Sequence, residues 1–312
     1  MKPVLLLNIG TPFSATSPLH YTLGWDNKYA HTGHQKEHHY LYVLESDKQL
    51  VNDGQVNNSH TLDQLKDRLS TINERRNPNK PKILSKDSEY VKFDGKDFYS
   101  KEVSIQKYIN YYLTHYNHIK EDYKAVADFS NANACLSEEF MLSIKDELLK
   151  HFDVKVTVVF RDPVRRLWSI SNKFNNRSTF SSLEINPNPH DWIKMCVGGK
   201  LEPNCYYHDI IRRHRNVWGD DRVHPIIMEE FWAGDTQPLS DFLDFPITKL
   251  HENVYYPDMG ANPPHYEYLK DQWSSDKVDL DDQTRDYCLD RLSYLYKLFE
   301  DEYGRIPEAW MK

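Results

Sequence analysis

Residues 4–23, VLLLNIGTPFSATSPLHYTL, constrain what this chain can fold into more than any other stretch. The apolar run 4–9 has the length and composition of a buried strand. Gly10 breaks it, and small and hydroxyl residues follow as far as Ser17. Ser17 is a good helix N-cap, and Pro18 suits a first helical position. Strand, tight loop and helix start together aim backbone N–H groups and the positive end of a helix dipole at the loop, which favours an anion there. The spacing matches the phosphate-binding pattern Gly-x-x-x-x-Gly-Lys-Ser/Thr in degenerate form. Gly10 and Ser17 fit, while Ala15 stands at the second Gly and Thr16 at the Lys. A loop without that lysine suits triphosphate chemistry poorly. The residues Gly10, Thr11, Pro12, Phe13, Ser14, Ala15, Thr16 and Ser17 remain able to cradle one phosphate-like group.

Downstream, HTGHQKEHHY (residues 31–40) places four histidines around the single carboxylate of Glu37. Three readings stay open on these residues alone: a metal site, Glu37 as a general base, or a polar loop. Residues 45–103 turn Asn-, Asp- and Lys-rich. Leu62, Leu65 and Leu69 predict one short amphipathic helix there, and the alternation around Asp94-Gly95 predicts a hairpin. This segment reads as an insertion within a single domain spanning 1–312. Tyr108, Tyr111, Tyr112 and Tyr116 recur at helical spacing and predict a core stripe. Residues 126–131 predict a short strand ending in polar residues, and Ser137 with Glu138 and Glu139 predicts a helix start. VKVTVVF (154–160) is the clearest strand of the chain. It ends at Arg161, with Asp162 as a cap and Pro163 in the first turn of the next helix. Residues 223–228 predict a further strand, 239–245 a short helix, and 283–302 a long terminal helix. Strands alternating with helices make the class α/β, a parallel sheet flanked by helices. Ligands of such sheets bind outside the carboxyl ends of the strands, where Arg161 stands.

Composition limits the partners. A net charge of −8 argues against nucleic acid. No run approaches the ~18 apolar residues of a membrane span. MKPVLLLNIG enters a strand directly, so a cytoplasmic protein without a signal peptide is expected. Cys196 and Cys205 flank a Gly/Pro-rich loop and could pair, but in that compartment the four cysteines are expected as thiols.

With these stretches in hand, the chain outside 45–103 resembles the sulfotransferases that use 3'-phosphoadenosine 5'-phosphosulfate (PAPS). The most specific element is FRDPVRRLWSISNKF (160–174). It resembles the family's 3'-phosphate motif, in which an Arg ends a strand and a Ser follows eight residues later, here Arg161 and Ser169. The loop from Gly10 to Ser17 is similar to the 5'-phosphosulfate loop, with Thr16 and Ser17 at its hydroxyl positions. Lys36-Glu37-His38-His39-Tyr40 resembles the Lys-Glu-x-His-Phe segment of heparan-type sulfotransferases, whose Glu takes the acceptor's proton. Asp128-Phe-Ser130-Asn-Ala is similar to the segment after their variable insertion, and Met228-Glu-Glu230-Phe to a later strand end. With no signal anchor expected, the chain looks closer to short soluble bacterial or phage-borne relatives than to Golgi enzymes.

The resemblance implies PAPS as donor and adenosine 3',5'-bisphosphate as product, with no metal required. It implies Glu37 as base, with Lys36 and His39 beside it in the catalytic set, and a hydroxyl acceptor, a glycan or small glycoside. One departure stands out: the family's loop lysine, which contacts the bridging oxygen of the phosphosulfate, aligns with Phe13. Lys36, or less directly Lys28 or His20, would then have to replace it. Two other readings compete, a P-loop kinase and a protein of the same fold that binds a nucleotide or glycan without turnover.

Overall fold

The computed structural model describes residues 2–11, 14, 16–33, 36–53, 103–175, 189–197, 205–250 and 279–311. The helix expected around Leu62–Leu69 and the hairpin at Asp94-Gly95 lie outside them.

Five parallel strands form one sheet in the order β2-β3-β1-β4-β5. They are β1 (Val4–Gly10), β2 (Ala30–His31), β3 (Ala125–Asp128), β4 (Asp153–Phe160) and β5 (Val223–Ile227). The expected α/β class with a parallel sheet is what the chain forms. β1 lies at the centre because both its faces are apolar. Leu5, Leu7 and Ile9 enter one core cluster and Leu6 the other, all nearly inaccessible to water. A strand covered on both faces reads as a continuous hydrophobic run rather than an alternating one.

Helices cover the two faces. On the Leu5 face lie α2 (Tyr40–Asp53), α3 (Ile105–Ile119), α4 (Glu138–His151), α5 (Pro163–Asn175), α6 (Pro189–Cys196) and α7 (Tyr207–Trp218), with the C-terminal helix; Tyr108, Tyr111 and Tyr112 of α3 are buried there. On the Leu6 face lie α1 (Thr16–Tyr21), α8 (Met228–Trp232) and α9 (Gln237–Leu243). The C-terminal helix, α10 (Asp282–Tyr303), starts on an Asp281 cap that accepts from Thr284 N at 2.6 Å. Ser137 caps α4 in the same way, through Phe140 N at 3.1 Å. Among the described residues no helix is long and apolar enough to cross a membrane. The four cysteines are free thiols, and no Cys196–Cys205 disulfide forms.

The chain leaves β1 toward β2 on one side and leaves β4 toward β5 on the other. Connections that diverge in this way open a crevice above the ends of β1 and β4, the usual ligand position in an open α/β sheet. Gly10 lies opposite Val159 in the ladder, so the loop after β1 and Arg161 after β4 share that crevice mouth.

Candidate active site

The loop after β1 is tight. Ser14 N donates to Thr11 O at 3.1 Å, and the Thr11 and Ser14 hydroxyls meet at 2.7 Å, both buried. Their hydrogen bond is therefore internal to the loop. Pro12, Phe13 and Ala15 lie outside the described residues. The helix start packs directly on Gly10: a Cβ there would fall 2.0 Å from the Thr16 methyl. Thr16 can clear such a Cβ only by rotating its hydroxyl away from the partners described below. Gly10→Ala is therefore expected to lower stability by about 1–3 kcal/mol, the usual cost of overpacking. Denaturant titration checks this, and a wild-type midpoint would show that the helix start yields freely.

Ser17 was expected to cap α1, and here the structure corrects the sequence. The helix begins at Thr16, so Ser17 lies inside its first turn. Its hydroxyl accepts from Lys36 Nζ at 3.0 Å instead.

Residues 36–39 are docked on the end of β3. Phe129 N donates to Lys36 O at 3.3 Å. Ser130 Oγ accepts from the backbone N–H groups of His38 (2.9 Å) and His39 (2.8 Å). The same hydroxyl donates to Asp128, which also accepts from Ser130 N and Tyr108 OH, each at 3.0 Å. Asp128 and Ser130 are fully buried, so water competes with none of these bonds. They hold His39 at a φ of +56°, a left-handed conformation that costs a non-glycine residue about 1–3 kcal/mol. His38, also fully buried, faces Thr32 O at 2.7 Å through Nε2.

This docking brings Lys36, Glu37 and His39 to the start of α1. Lys36 Nζ donates to Thr16 Oγ1 (2.8 Å), Ser17 Oγ (3.0 Å) and Glu37 Oε1 (2.8 Å). Asn131 Nδ2 donates to the same Glu37 oxygen at 3.0 Å, and Thr16 Oγ1 donates to Asn131 Oδ1 at 3.2 Å. Glu37 Oε2 lies 3.4 Å from His39 Nε2. Burial pushes the Glu37 carboxyl up. The hydrogen bond from His39, and the charge and hydrogen bond of Lys36, outweigh burial and bring its pKa down to about 2.

The β4 end supplies a second group of polar residues. Asp162 caps α5 by accepting from Arg165 N at 2.7 Å, and its other oxygen accepts from Tyr296 OH at 3.0 Å. Burial pushes its pKa up against those two bonds. Arg161 is half-buried, its carbonyl held by Tyr207 OH at 2.8 Å. Ser169 lies half-buried within α5, eight residues after Arg161.

The described histidines of this stretch, His31, His38 and His39, do not gather. His31 Nδ1 pairs with His115 Nε2 at 2.8 Å, while His38 and His39 face the groups named above. No three His, Cys, Asp or Glu side chains converge as a metal cage would, among the described residues. Sequence reasoning gave Asp128, Ser130 and Asn131 no role at the site. The available signal was a strand ending in a polar run at the face of the sheet where ligands bind.

No protein-family model and no curated protein sequence matches the chain. Solved structures do. A sulfotransferase from Alicyclobacillus acidocaldarius superposes with a TM-score of 0.50 at 14% identity, over 98% of each chain. The fold is that of a sulfotransferase. The sulfotransferase domain of the Synechococcus olefin synthase gives 0.46 at 16% identity, over 98% of this chain and 97% of that one. The sulfotransferase domain from the curacin biosynthetic pathway gives 0.44 at 17%, over 94% and 97%.

Proposed function

We propose that the protein is a sulfotransferase that moves the sulfuryl group of PAPS to an acceptor hydroxyl on a carbohydrate. One observation carries this reading: an ammonium and a carboxylate, Lys36 and Glu37, stand together at the hydroxyls of the anion loop. The donor set suits the 5' end of PAPS, with the hydroxyls of Thr16 and Ser17, the Lys36 charge and the α1 start on one side of the crevice. Arg161 on the other side suits the 3'-phosphate, because a permanently charged guanidinium pairs well with a dianion. The carbohydrate acceptor rests on the heparan-type resemblance of residues 36–40.

PAPS supplies the activated sulfuryl group when bound. Lys36 donates to oxygens at the loop and offsets negative charge there. Glu37 is within reach of a hydroxyl placed beside the loop and accepts its proton as the new S–O bond forms and the S–O bond to phosphate breaks. Asp128 and Ser130 keep both residues in place.

The test is turnover: the protein with PAPS and a panel of glycosides should release adenosine 3',5'-bisphosphate and yield a sulfated acceptor, with or without EDTA. A magnesium requirement with ATP would instead indicate kinase chemistry, and nucleotide binding without turnover would indicate a binding protein. The product nucleotide is expected to bind without magnesium. Arg161→Ala should weaken it by about 1.5–3 kcal/mol, the range for a hydrogen bond to a charged group, and Ser169→Ala by less. Calorimetry reads both, and equal wild-type affinity for AMP and the bisphosphate would remove Arg161 from the 3'-phosphate.

A further inference from the structure

Asn131 sits between the anion loop and the carboxylate, and each of its two polar ends has one partner there. Its Nδ2 donates to Glu37 Oε1 at 3.0 Å and its Oδ1 accepts from Thr16 Oγ1 at 3.2 Å. The amide orientation follows from the chemistry of the partners. A flipped amide would set its carbonyl oxygen against a carboxylate oxygen, both acceptors only, whereas the Thr16 hydroxyl can serve either end. With Lys36 the bonds close into a ring of four residues: Lys36 donates to Thr16, Thr16 to Asn131, Asn131 to Glu37, and Lys36 also to Glu37. Each bond of this ring pairs a donor with an acceptor.

The two donors on Glu37 Oε1 differ in freedom. Lys36 ends a flexible stem and has three hydrogens to share, so negative charge arriving at the loop competes with Glu37 for it. Asn131 is short, and its backbone begins the 3₁₀ turn Asn131–Cys135 directly after the buried Asp128–Ser130 lock. When Lys36 turns to the loop, Asn131 remains on Oε1. Oε2, beside His39, carries neither of these two bonds.

We infer that Asn131 is a positioning residue of the transfer reaction, holding Glu37 in its proton-accepting orientation and tying that orientation to the anion loop through Thr16. This rests on the sulfuryl-transfer reading above, with Glu37 as base. Asn131 acts through Glu37, so its effect belongs to the rate and not to nucleotide binding, and it should vanish when Glu37 can no longer accept a proton.

A double-mutant cycle tests this, with single-turnover rates and bisphosphate affinities for wild type, Asn131→Ala, Glu37→Gln and the pair. Asn131→Ala should slow transfer by about 10–100-fold, the scale of a misplaced catalytic group. It should leave bisphosphate affinity within about twofold and cost almost nothing further in the Glu37→Gln background. Asn131→Asp, nearly isosteric, puts a second carboxylate beside Glu37; it should move the acid limb of the pH–rate profile upward, because like charges disfavour ionisation. That variant carries the test if Asn131→Ala does not fold. An equal slowing by Asn131→Ala with and without Glu37, a parallel loss of bisphosphate binding, or an unmoved acid limb in Asn131→Asp overturns the inference while leaving the transfer reading intact. A wild-type protein without turnover, or Glu37→Gln at the wild-type rate, overturns the base assignment first and this inference with it.

Discussion

Lys36→Ala is expected to lower kcat by about 10²–10³, the usual loss for one donor to a developing oxyanion, with little change in bisphosphate affinity. The resemblance aligns Phe13 with the family's loop lysine, and a phenyl ring cannot offset charge on a departing phosphate. Lys36 is the cation the structure sets on the loop hydroxyls, at 2.8 Å from Thr16 and 3.0 Å from Ser17. The other candidates point elsewhere. Lys28 Nζ donates to Tyr123 OH at 3.3 Å from an exposed position, and the buried His20 faces the Thr32 hydroxyl at 3.2 Å. A donor that gains strength as charge develops acts on the transition state more than on the bound ground state, hence on kcat. Lys28→Ala serves as the control and should stay near the wild-type rate. Lys36→Ala has a second signature: Glu37 loses the charge and hydrogen bond that hold its carboxyl low, so its pKa rises. Single-turnover rates decide the matter. A wild-type rate in Lys36→Ala would remove the lysine from the reaction, and a large loss of bisphosphate binding would make it a binding group only.

Much of the fold could be read from local chemistry. β1 and β4 are continuous apolar runs bounded by a breaker or a cap, and the Ser137 and Asp162 caps act through bonds only three residues long. β2 could not be read, since its two residues are a strand only by pairing with β3 across a gap of more than ninety residues. Helix α7 carries no side-chain cap, and its polar sequence YHDIIRRHRNVW hides the buried row Tyr207, Ile210, Ile211, His214, Val217 and Trp218. At the site, Lys36 and Glu37 were visible as neighbours in sequence. Asn131 was not, because its bonds to Thr16 and Glu37 span 115 and 94 residues. The Ser17 cap failed for a related reason: a local preference gave way to a long-range lysine.

Glu37→Gln should slow transfer by ~10² or more, the scale of a lost general base, while bisphosphate affinity and folding stay close to wild type. The amide keeps the shape and can still accept at one atom, so the ring around Asn131 and Lys36 is disturbed little; only the capacity to take a proton is lost. The pH dependence gives a sharper test. In the free protein Lys36 and His39 hold the Glu37 pKa down to about 2 despite its burial, so it is ionised through the neutral range but is a weak base. In the proposed reaction, negative charge at the loop would draw Lys36 away, two of the lowering influences would fade, and the pKa would rise. Under the proposed mechanism the carboxylate would thus gain basicity in the loaded complex, where a base is needed. The free protein governs kcat/KM for the donor and the loaded complex governs kcat. The donor kcat/KM should therefore stay flat on acidification as long as the protein stays folded, while kcat falls along an acid limb at higher pH than the free-protein value. Glu37→Gln should abolish that limb along with most of the rate. A variant that keeps the limb, or that loses the bisphosphate instead of the rate, would assign the proton to another group.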